Sequence, residues 1–197
     1  MKLRCGDREY EFIQVALVFE GNSYQDVFSH KNNKTVAQTL KHRRYAKLKE
    51  EVERRYPGSL EKPLGKFLAQ LKKAGDGFYR RFLNKYGDLT YSTFKIENTA
   101  YLESKGVYAY LVGDEVKYIG RCKDSMKKRI NQGYGKIHPK NCYLDGQATN
   151  SHLNARITAE KKKITLWLHE MDSETEIELL ERELIRAYNP PWNIQRG

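Results

Sequence analysis

The sequence has few cysteines and no long apolar run, and both shortages limit what the chain can be. Its 197 residues include three cysteines and five histidines. An odd number of scattered cysteines argues against a disulfide framework, and their spacing from the histidines does not suit a structural zinc site. No segment approaches the ~20 apolar residues that span a membrane, and no secretory signal is visible at the N-terminus. We therefore expect a cytoplasmic protein with reduced thiols and no membrane partner.

Acidic residues are scarce in one segment. The whole chain contains 36 Lys and Arg against 25 Asp and Glu, a net charge of +11. Between His30 and Lys85 there are 16 basic and 5 acidic residues, which leaves 20 of each sign elsewhere. A localised basic excess favours a polyanion, and nucleic acid is the usual one in the cytoplasm. The alternative is a solvated helical surface without a ligand.

The first part of the chain, residues 1–102, is predicted to be a basic and largely helical region. Apolar residues recur at multiples of four over residues 35–52, which predicts one helix. Ser59 then has the chemistry of a cap for the next helix. Ahead of these helices, the β-branched and aromatic residues 10–19 predict a strand, with a buried helix as the alternative.

Two further helices are predicted before residue 86. Leucine and phenylalanine over residues 64–71 follow the i, i+3, i+4, i+7 pattern of a stripe that faces a core. Residues 77–86 predict a third helix with aromatic side chains on one face; such spacing is more typical of a core than of base stacking. The basic side chains around these helices are the candidates for DNA contact. They are Lys41, Arg43, Arg44, Lys47, Arg80 and Arg81.

A β-hairpin is predicted at the centre of the chain. Two β-rich runs, residues 106–111 and 116–121, flank a tight turn that contains Gly-Asp. The hairpin places Tyr108 and Tyr118 on neighbouring strands. The basic segment after it opens with an N-cap aspartate, so a short helix can bring Arg129 back beside the hairpin. Two phenols and one guanidinium then converge on one site.

The segment after that helix is predicted to be a loop beside the site, because residues 133–143 contain too much Gly and Pro to continue a helix. Residues 146–154 are dense in amide and hydroxyl groups. Such groups can donate to phosphates or read base edges; they can equally form a structural network of turns and caps. The candidates for DNA contact here are Gln147, Thr149, Asn150 and Asn154.

The C-terminal segment predicts a strand at residues 164–169 that closes the sheet, and a helix that Ser173 caps and that carries Tyr188 inward. Glu181 stands four residues after Ile177 and three before Leu184, hence on the apolar face of that helix. A carboxylate there is costly to bury unless it binds a cation or a basic partner. Spacing alone leaves both a metal ligand and a buried Glu–Arg pair open.

In these elements the sequence resembles the GIY-YIG nuclease family. The matching elements occur in the family's order and spacing over residues 103–197. They are Gly106-Val107-Tyr108, Tyr118-Ile119-Gly120 ten residues later, the basic segment through Arg129, the glutamate helix around Glu181, and Asn193 after two prolines. The resemblance implies an α/β (α+β) domain in which a short mixed or antiparallel sheet is flanked by helices.

The resemblance also implies an activity, the metal-dependent hydrolysis of DNA phosphodiester bonds. Mg²⁺, with Mn²⁺ as the alternative, is expected on Glu181 with waters in its remaining positions. Tyr108 would orient or deprotonate the attacking water, and a base role requires a nearby cation that favours phenolate. Arg129 would clamp phosphate oxygens while Tyr118 completes the hydrogen bonding. Asn193 would steady the site.

Two positions depart from the family pattern. Relatives often have lysine or threonine where this chain has Arg121, and because an arginine does not act as a base its role should be electrostatic. Some relatives have a histidine four residues beyond the catalytic arginine, where this chain has Gly133. Tyr134 and His138 are the candidate substitutes.

The expected biological class is a stand-alone, site-specific endonuclease of the restriction or mobile-element kind, because the chain lacks room for large repair modules. It would act on double-stranded DNA, as a homodimer if the target is palindromic. The alternatives are a structure-specific repair nuclease and a non-catalytic DNA-binding protein on the same scaffold. An RNA-binding domain, which would bind single strands through aromatic side chains without cleavage, is a further alternative.

Overall fold

The structure is a computed structural model that describes residues 1–194 of the chain. In chain order the strands are β1 Lys2–Cys5, β2 Arg8–Glu11, β3 Ile13–Val15, β4 Leu17–Tyr24, β5 Tyr91–Ile96, β6 Gly106–Val112, β7 Glu115–Cys122 and β8 Ile164–Glu170. The α-helices are α1 Val36–Leu40, α2 Lys49–Arg55, α3 Leu64–Lys73, α4 Ala148–Ala159 and α5 Glu174–Tyr188. A π-helix covers Lys127–Tyr134. Short 3₁₀ turns cover Val27–His30, Ala46–Leu48, Pro57–Ser59, Gly77–Phe82, Thr99–Tyr101 and Pro139–Cys142. The predicted α+β class is confirmed.

The chain divides into two compact units that are each assembled from separate segments. We call the first the sheet unit; it contains Met1–Gly21, Ser92–Lys136 and, from Arg156, the rest of the described chain. The second, the basic unit, contains Asn22–Tyr91 and Ile137–Ala155, with 17 Lys and Arg against 8 Asp and Glu. This division differs from the boundary expected at residue 102. The N-terminal strands belong to the sheet unit because β3 supplies the backbone partner of β8.

The sheet unit is built around an antiparallel sheet with the strand order β3-β8-β6-β7. The predicted hairpin is confirmed: β6 and β7 pair with Tyr108 opposite Gly120 and Tyr110 opposite Tyr118. The other side of β6 pairs with β8, the strand predicted near the C-terminus. The central position of β6 fixes its backbone from both sides, so the side chains that it carries are held in a defined register.

The two faces of this sheet have different roles. Alternate residues of β6 and β7, such as Ala109 and Ile119, pack against the apolar side of α5 in one core, as the two-residue period of a strand requires. The predicted cap of α5 is present, since Ser173 Oγ accepts a hydrogen bond from the Glu176 N–H at 3.4 Å. The inward orientation predicted for Tyr188 is wrong. Its side chain is exposed, and its hydroxyl accepts a hydrogen bond from the Arg4 N–H.

In the basic unit the stripe predicted over residues 64–71 is confirmed, because its leucines and Phe67 are buried in one core. The single helix predicted over residues 35–52 is instead broken between α1 and α2. Tyr45, which lies off the multiple-of-four stripe, is fully buried there and donates to Asp145, so the chain must turn to bring it inward.

Two further predictions for this unit are wrong. Ser59 does not cap α3, because the N-cap of that helix is Pro63. The Ser59 hydroxyl instead donates a hydrogen bond to the Tyr56 carbonyl at 2.7 Å. The third helix is a 3₁₀ turn that ends at Phe82 rather than continuing to residue 86.

Among residues 1–194, no helix combines the length and apolar character needed to cross a bilayer.

Candidate active site

The tyrosines of the hairpin share one face of the sheet. The ring centroids of Tyr108 and Tyr118 are 6.0 Å apart. The ring centroid of Tyr110 lies 6.0 Å from that of Tyr108 and 6.4 Å from that of Tyr118. Gly120 makes this arrangement possible. A Cβ atom on it would lie 2.6 Å from Tyr118 Cε1 and 2.7 Å from the Tyr108 hydroxyl. The glycine of the Tyr-Ile-Gly element therefore provides the space that two phenols occupy.

Arg129 is brought back to this face, as the sequence predicted. Its Nε donates a hydrogen bond to the Tyr108 hydroxyl at 3.0 Å. The predicted start of the helix is shifted: helical geometry begins at Met126, and the side chain that caps it is Ser125, whose Oγ accepts from the Lys128 N–H at 3.3 Å. One phenol and one guanidinium are thus joined directly.

The helix that carries Arg129 is a π-helix, in which a backbone N–H donates to the carbonyl five residues earlier instead of four. The Gly135 N–H accordingly donates to the Ile130 carbonyl at 2.8 Å. The helix ends at Tyr134 and is kinked at Gly133, whose φ of −95° and ψ of −111° are not helical. The break expected at Gly133 is therefore present. Tyr134, which follows the kink, is buried.

Tyr134 and Tyr110 complete the cluster beneath Arg129. The Arg129 Cζ atom lies 5.7 Å from the centre of the Tyr134 ring, and the hydroxyls of Tyr110 and Tyr134 are 3.0 Å apart. The sequence patterns considered above do not single out Tyr110. The signal was present, because a residue two positions after Tyr108 in a strand must point to the same face.

Burial controls the protonation of these phenols. Tyr108 has no exposed surface, and burial raises the pKa of its hydroxyl well above the ordinary 10.0, while the Arg129 guanidinium acts in the opposite direction without reversing it. The Arg129 guanidinium alone therefore does not bring the pKa of Tyr108 below its ordinary value. In this structure Tyr108 is a neutral hydrogen-bond partner of Arg129.

Glu181 and Arg121 form an ion pair on the side of the sheet that packs against α5. Arg121 Nη1 lies 2.5 Å from Glu181 Oε2 and Arg121 Nη2 lies 3.7 Å from Glu178 Oε1. Burial raises the pKa of Glu181 above its ordinary 4.5, and the charges of Arg121 and then Arg129 oppose this effect. The Glu–Arg pair that spacing left open is therefore present, and the field of Arg129 reaches the same carboxylate.

The carboxylate of Glu181 has the chemistry expected of a magnesium ligand. In residues 1–194 there is no group of three His, Cys, Asp or Glu side chains arranged to hold a metal ion. Mg²⁺ in phosphoryl-transfer sites commonly takes one or two carboxylates and completes its shell with water and substrate phosphate oxygens. A single carboxylate on the rim of the core fits that pattern, provided that Arg121 shares or releases it.

The Asn193 side chain forms hydrogen bonds with the backbone at the outer edge of β7. Its Oδ1 accepts a hydrogen bond from the Ile119 N–H at 3.0 Å, and its Nδ2 donates to the Ile119 carbonyl at 2.7 Å. One residue earlier, the Trp192 N–H donates to the Lys117 carbonyl at 2.9 Å. An edge strand next to the tyrosines is thereby covered, which agrees with a steadying role for Asn193.

The remaining candidates lie in the basic unit. His138 is exposed there, and its backbone N–H donates to Asn141 Oδ1 at 2.9 Å. Most of the predicted DNA-contact residues are exposed, namely Lys41, Arg43, Arg44, Lys47, Arg80, Arg81, Gln147 and Thr149. Asn150 is half-buried and donates to Gln147 Oε1 at 3.0 Å. Asn154 is fully buried, so its side chain is not available to DNA in this structure.

Three of the exposed arginines also have contacts inside the basic unit. Arg44 donates to the Leu144 carbonyl, Arg81 pairs with Glu51, and Arg80 Nε donates to the Tyr79 hydroxyl at 3.1 Å. Lys41, Arg43 and Lys47 are therefore the clearer candidates for a contact with an external ligand.

Comparison with curated proteins places the chain in a family of endonucleases. The relative that supports this placement is Endonuclease II of Enterobacteria phage T4, which is 33% identical over 100 residues, covering 45% of this chain and 71% of the phage protein. The chain belongs to the family of that endonuclease. No family model matches the sequence, and no solved structure is significantly similar to it.

Proposed function

We propose that the chain is a metal-dependent endonuclease of the GIY-YIG type that hydrolyses phosphodiester bonds of double-stranded DNA. One observation carries the proposal: Arg129 on the π-helix and Tyr108 on β6 are joined by a hydrogen bond of 3.0 Å. The two residues that define the family resemblance in separate parts of the sequence therefore meet, in a chain whose relative is an endonuclease.

Arg129 is the candidate for binding the scissile phosphate. It is only partly exposed and is held by the Tyr108 hydroxyl and the Tyr134 ring. A guanidinium fixed in a partly dry site stabilises the negative charge that develops on phosphorus without having to reorganise during the reaction. We propose that its terminal amino groups contact the phosphate oxygens.

Tyr108 acts in this proposal through Arg129. Because its phenol is fully buried and neutral, it accepts the Arg129 N–H and fixes the plane of the guanidinium. This is a positioning role, and it replaces the base role considered from the sequence. Removal of the hydroxyl should affect the rate by displacing Arg129, since small misplacements of a catalytic group are costly.

Glu181 is the residue proposed to hold Mg²⁺, with Mn²⁺ as the alternative. When bound, such an ion stabilises charge on the phosphate and lowers the pKa of a coordinated water. Arg121 must then leave or share the carboxylate. Glu178, 3.7 Å from Arg121 Nη2, offers the guanidinium a second partner, so the ion pair can rearrange without leaving Arg121 uncompensated.

The basic unit is proposed to hold the DNA, and the biological class is proposed to be a site-specific enzyme of the restriction or mobile-element kind. The exposed residues Lys41, Arg43 and Lys47 support the first part. Sequencing the ends of cleaved random-sequence DNA tests the second, because a site-specific enzyme leaves one motif at every cut. Ends without a shared motif would contradict it. A symmetric motif would support a homodimer.

The activity is tested with supercoiled plasmid. Wild-type protein with Mg²⁺ or Mn²⁺ is expected to convert it to nicked or linear DNA, and EDTA should stop the conversion. Arg129→Lys, which keeps the charge and loses the Nε–H contact to Tyr108, should be slower by roughly 10²–10³-fold, as for the loss of an oriented transition-state donor. Equal rates for the two proteins would contradict the assigned site.

The Arg121–Glu181 pair favours a second candidate, a non-catalytic DNA-binding protein on the same scaffold. In that case the arginine permanently occupies the carboxylate that would otherwise bind a metal. The plasmid assay separates the candidates, because this one predicts DNA binding without cleavage in both Mg²⁺ and Mn²⁺. Restoration of cleavage by Arg121→Ala would show that the arginine alone blocks the metal.

A further inference from the structure

Lys31 is a buried lysine of the basic unit, and the residue is only 9% exposed. Its Nζ atom lies 4.7 Å from the centre of the Tyr143 ring. Within residues 1–194 the ammonium group has no hydrogen-bond acceptor and no ion-pair partner. A cation over an aromatic face is attracted by the ring quadrupole. The ring does not satisfy the three N–H donors of an ammonium group.

The backbone and the ring that hold Lys31 are both fixed. The Lys31 carbonyl accepts a hydrogen bond from the Gly65 N–H at 2.9 Å. Gly65 allows this close approach, since a Cβ atom there would lie 2.3 Å from the Ser29 carbonyl oxygen. The Tyr143 hydroxyl donates to the Phe28 carbonyl at 2.8 Å. Hydrogen bonds therefore hold both the backbone of Lys31 and the ring beneath its ammonium group.

The charges around Lys31 are mainly of its own sign. Burial is the largest effect and lowers the pKa of Lys31 below its ordinary 10.5; Asp145 opposes it, and the exposed Lys34 and Lys140 add to it. The Asp145 carboxylate already accepts a hydrogen bond from the Tyr45 hydroxyl at 2.5 Å. Geometry agrees with these neighbours, because Lys34 follows Lys31 by three residues and the Lys140 carbonyl accepts a hydrogen bond at 3.2 Å from the N–H of Tyr143, the residue whose ring lies beneath the Lys31 ammonium group.

We propose that Lys31, Lys34 and Lys140 form a binding site for one phosphate group of the DNA backbone. The proposal rests on the proposed function, because DNA is the source of that phosphate, and it adds a site that the sequence candidates did not include. An ammonium group is a compact point charge that suits a phosphate oxygen. Lys31 is already packed against the Tyr143 ring, so ordering its side chain on binding costs less than ordering an exposed lysine. Such a contact fixes the register of the protein on the duplex and reads no sequence.

The test compares DNA binding by wild-type protein and Lys31→Met in EDTA, where cleavage is stopped, at several salt concentrations. Methionine keeps the apolar stem and removes the charge. We expect affinity to fall on the order of tenfold, the value of one charged hydrogen bond. The slope of log K against log salt should become shallower by about 0.9 for the lost phosphate contact. Lys31→Arg should retain most of the affinity.

Two further variants test the phosphate site without changing the buried Lys31, whose replacement could also affect folding. Lys34→Gln with Lys140→Gln changes only exposed side chains, and it should also weaken binding and reduce the salt slope. Lys162→Met, which removes an exposed lysine of the sheet unit, is the matched control and should bind like wild type. Unchanged affinity and slope in both cluster variants, with wild type bound, would overturn the phosphate site and leave the proposed function intact.

A parallel measurement with inorganic phosphate distinguishes the source of the ligand. At equal ionic strength, phosphate should raise the Tm of wild type relative to chloride, by mass action on the folded state, and should not do so for Lys31→Met. If the Tm effect depends on Lys31 while DNA affinity does not, the site takes free phosphate and the DNA contact is overturned. If wild type itself does not bind DNA, the proposed function fails and the DNA contact fails with it.

Discussion

Arg121 and Glu181 meet at the rim of the core between the sheet and α5, with 2.5 Å between Nη1 and Oε2. The glutamate side chain is 15% exposed and the arginine side chain 43%. The carboxylate is therefore the more desolvated partner, and the arginine has more freedom to move. This difference in exposure favours a site in which the Glu181 carboxylate stays in place while Arg121 is exchanged for another cation.

Glu181→Gln is expected to abolish cleavage and to leave DNA affinity near wild type. The change removes the anionic ligand of the proposed metal at almost constant volume. Loss of several kcal/mol of transition-state stabilisation corresponds to a rate lower by about 10³-fold or more. Single-turnover cleavage and binding titrations on the same duplex measure the two effects. Full activity in this variant would remove Glu181 from the site.

The same variant should change the pH dependence of stability. Because burial raises the pKa of Glu181, its contribution to the free energy of unfolding is fully present below the ordinary pKa of 4.5 and is lost as pH rises through the higher folded-state pKa. Glu181→Gln should therefore gain stability relative to wild type as pH rises toward neutrality. Urea unfolding at several pH values measures the difference.

Glu178→Gln is the matched control for that experiment. A hydrogen bond from Lys123 lowers the pKa of Glu178, so its contribution is present above the ordinary pKa of glutamate and is lost as pH falls. The two variants should change with pH in opposite directions. Parallel curves would contradict the burial argument for Glu181.

Tyr108→Phe should fold and cleave slowly. The ring keeps its packing, while the Arg129 Nε–H loses its acceptor, which costs about 1–3 kcal/mol of stability. We expect a rate roughly 10²-fold lower from misplacement of the guanidinium. Tyr110→Phe removes the neighbouring hydroxyl, which contacts Tyr134 instead, and should cost stability with a much smaller loss of rate. Similar rates for the two variants would mean that Tyr108 does not position Arg129.

Asn193→Ala should release the edge of β7. Loss of both hydrogen bonds to Ile119 is expected to cost about 1–2 kcal/mol and to speed hydrogen exchange at the Ile119 amide. Asn131→Ala is a matched control, since the Asn131 amide makes the same two-point contact with the N–H and carbonyl of Ile96, each at 2.9 Å. That variant should speed exchange at Ile96 and leave Ile119 protected. Slow exchange at Ile119 in Asn193→Ala would show that the edge is held by other contacts.

Neutralising Lys41, Arg43 and Lys47 together, each to Gln, should weaken DNA binding at all sequences. Each lost phosphate contact removes about 0.9 from the slope of log K against log salt. Cleavage at saturating DNA should change far less, because the proposed catalytic residues lie in the sheet unit. Arg44 is left unchanged since it also holds the Leu144 carbonyl.

Lys162→Gln with Lys163→Gln removes two exposed charges of the sheet unit and should leave the salt slope unchanged. An unaltered slope in the triple variant would instead identify residues 41–47 as ordinary solvated surface.

Local patterns were sufficient for the parts of the site that depend on short-range geometry. The two-residue period and the tight turn placed Tyr108 and Tyr118 on adjacent strands, and the structure has both in that hairpin. The apolar positions around Glu181 placed it on the inner face of its helix, where the structure also has it. These features follow from dihedral preferences and burial, which nearby residues determine.

Features that depend on distant contacts were not predictable in this way. The division of the chain differs from the expected one because β3 finds its partner in β8, more than 150 residues away. The helix over residues 35–52 breaks because Tyr45 must reach Asp145. The kinked π-helix that carries both Arg129 and Tyr134 has no simple signature in residue periodicity.

The sequence by itself determined the hairpin, the charge segregation and the identity of the phenols, guanidinium and carboxylate, because each follows from composition or local spacing. Only the tertiary structure decided which of these groups are in contact and which of them are buried. It joined Arg129 to Tyr108, paired Glu181 with Arg121, buried Asn154 and left Lys31 without an acceptor. Contact and desolvation depend on packing between segments far apart in the chain, and those two quantities set the pKa values and the available chemistry.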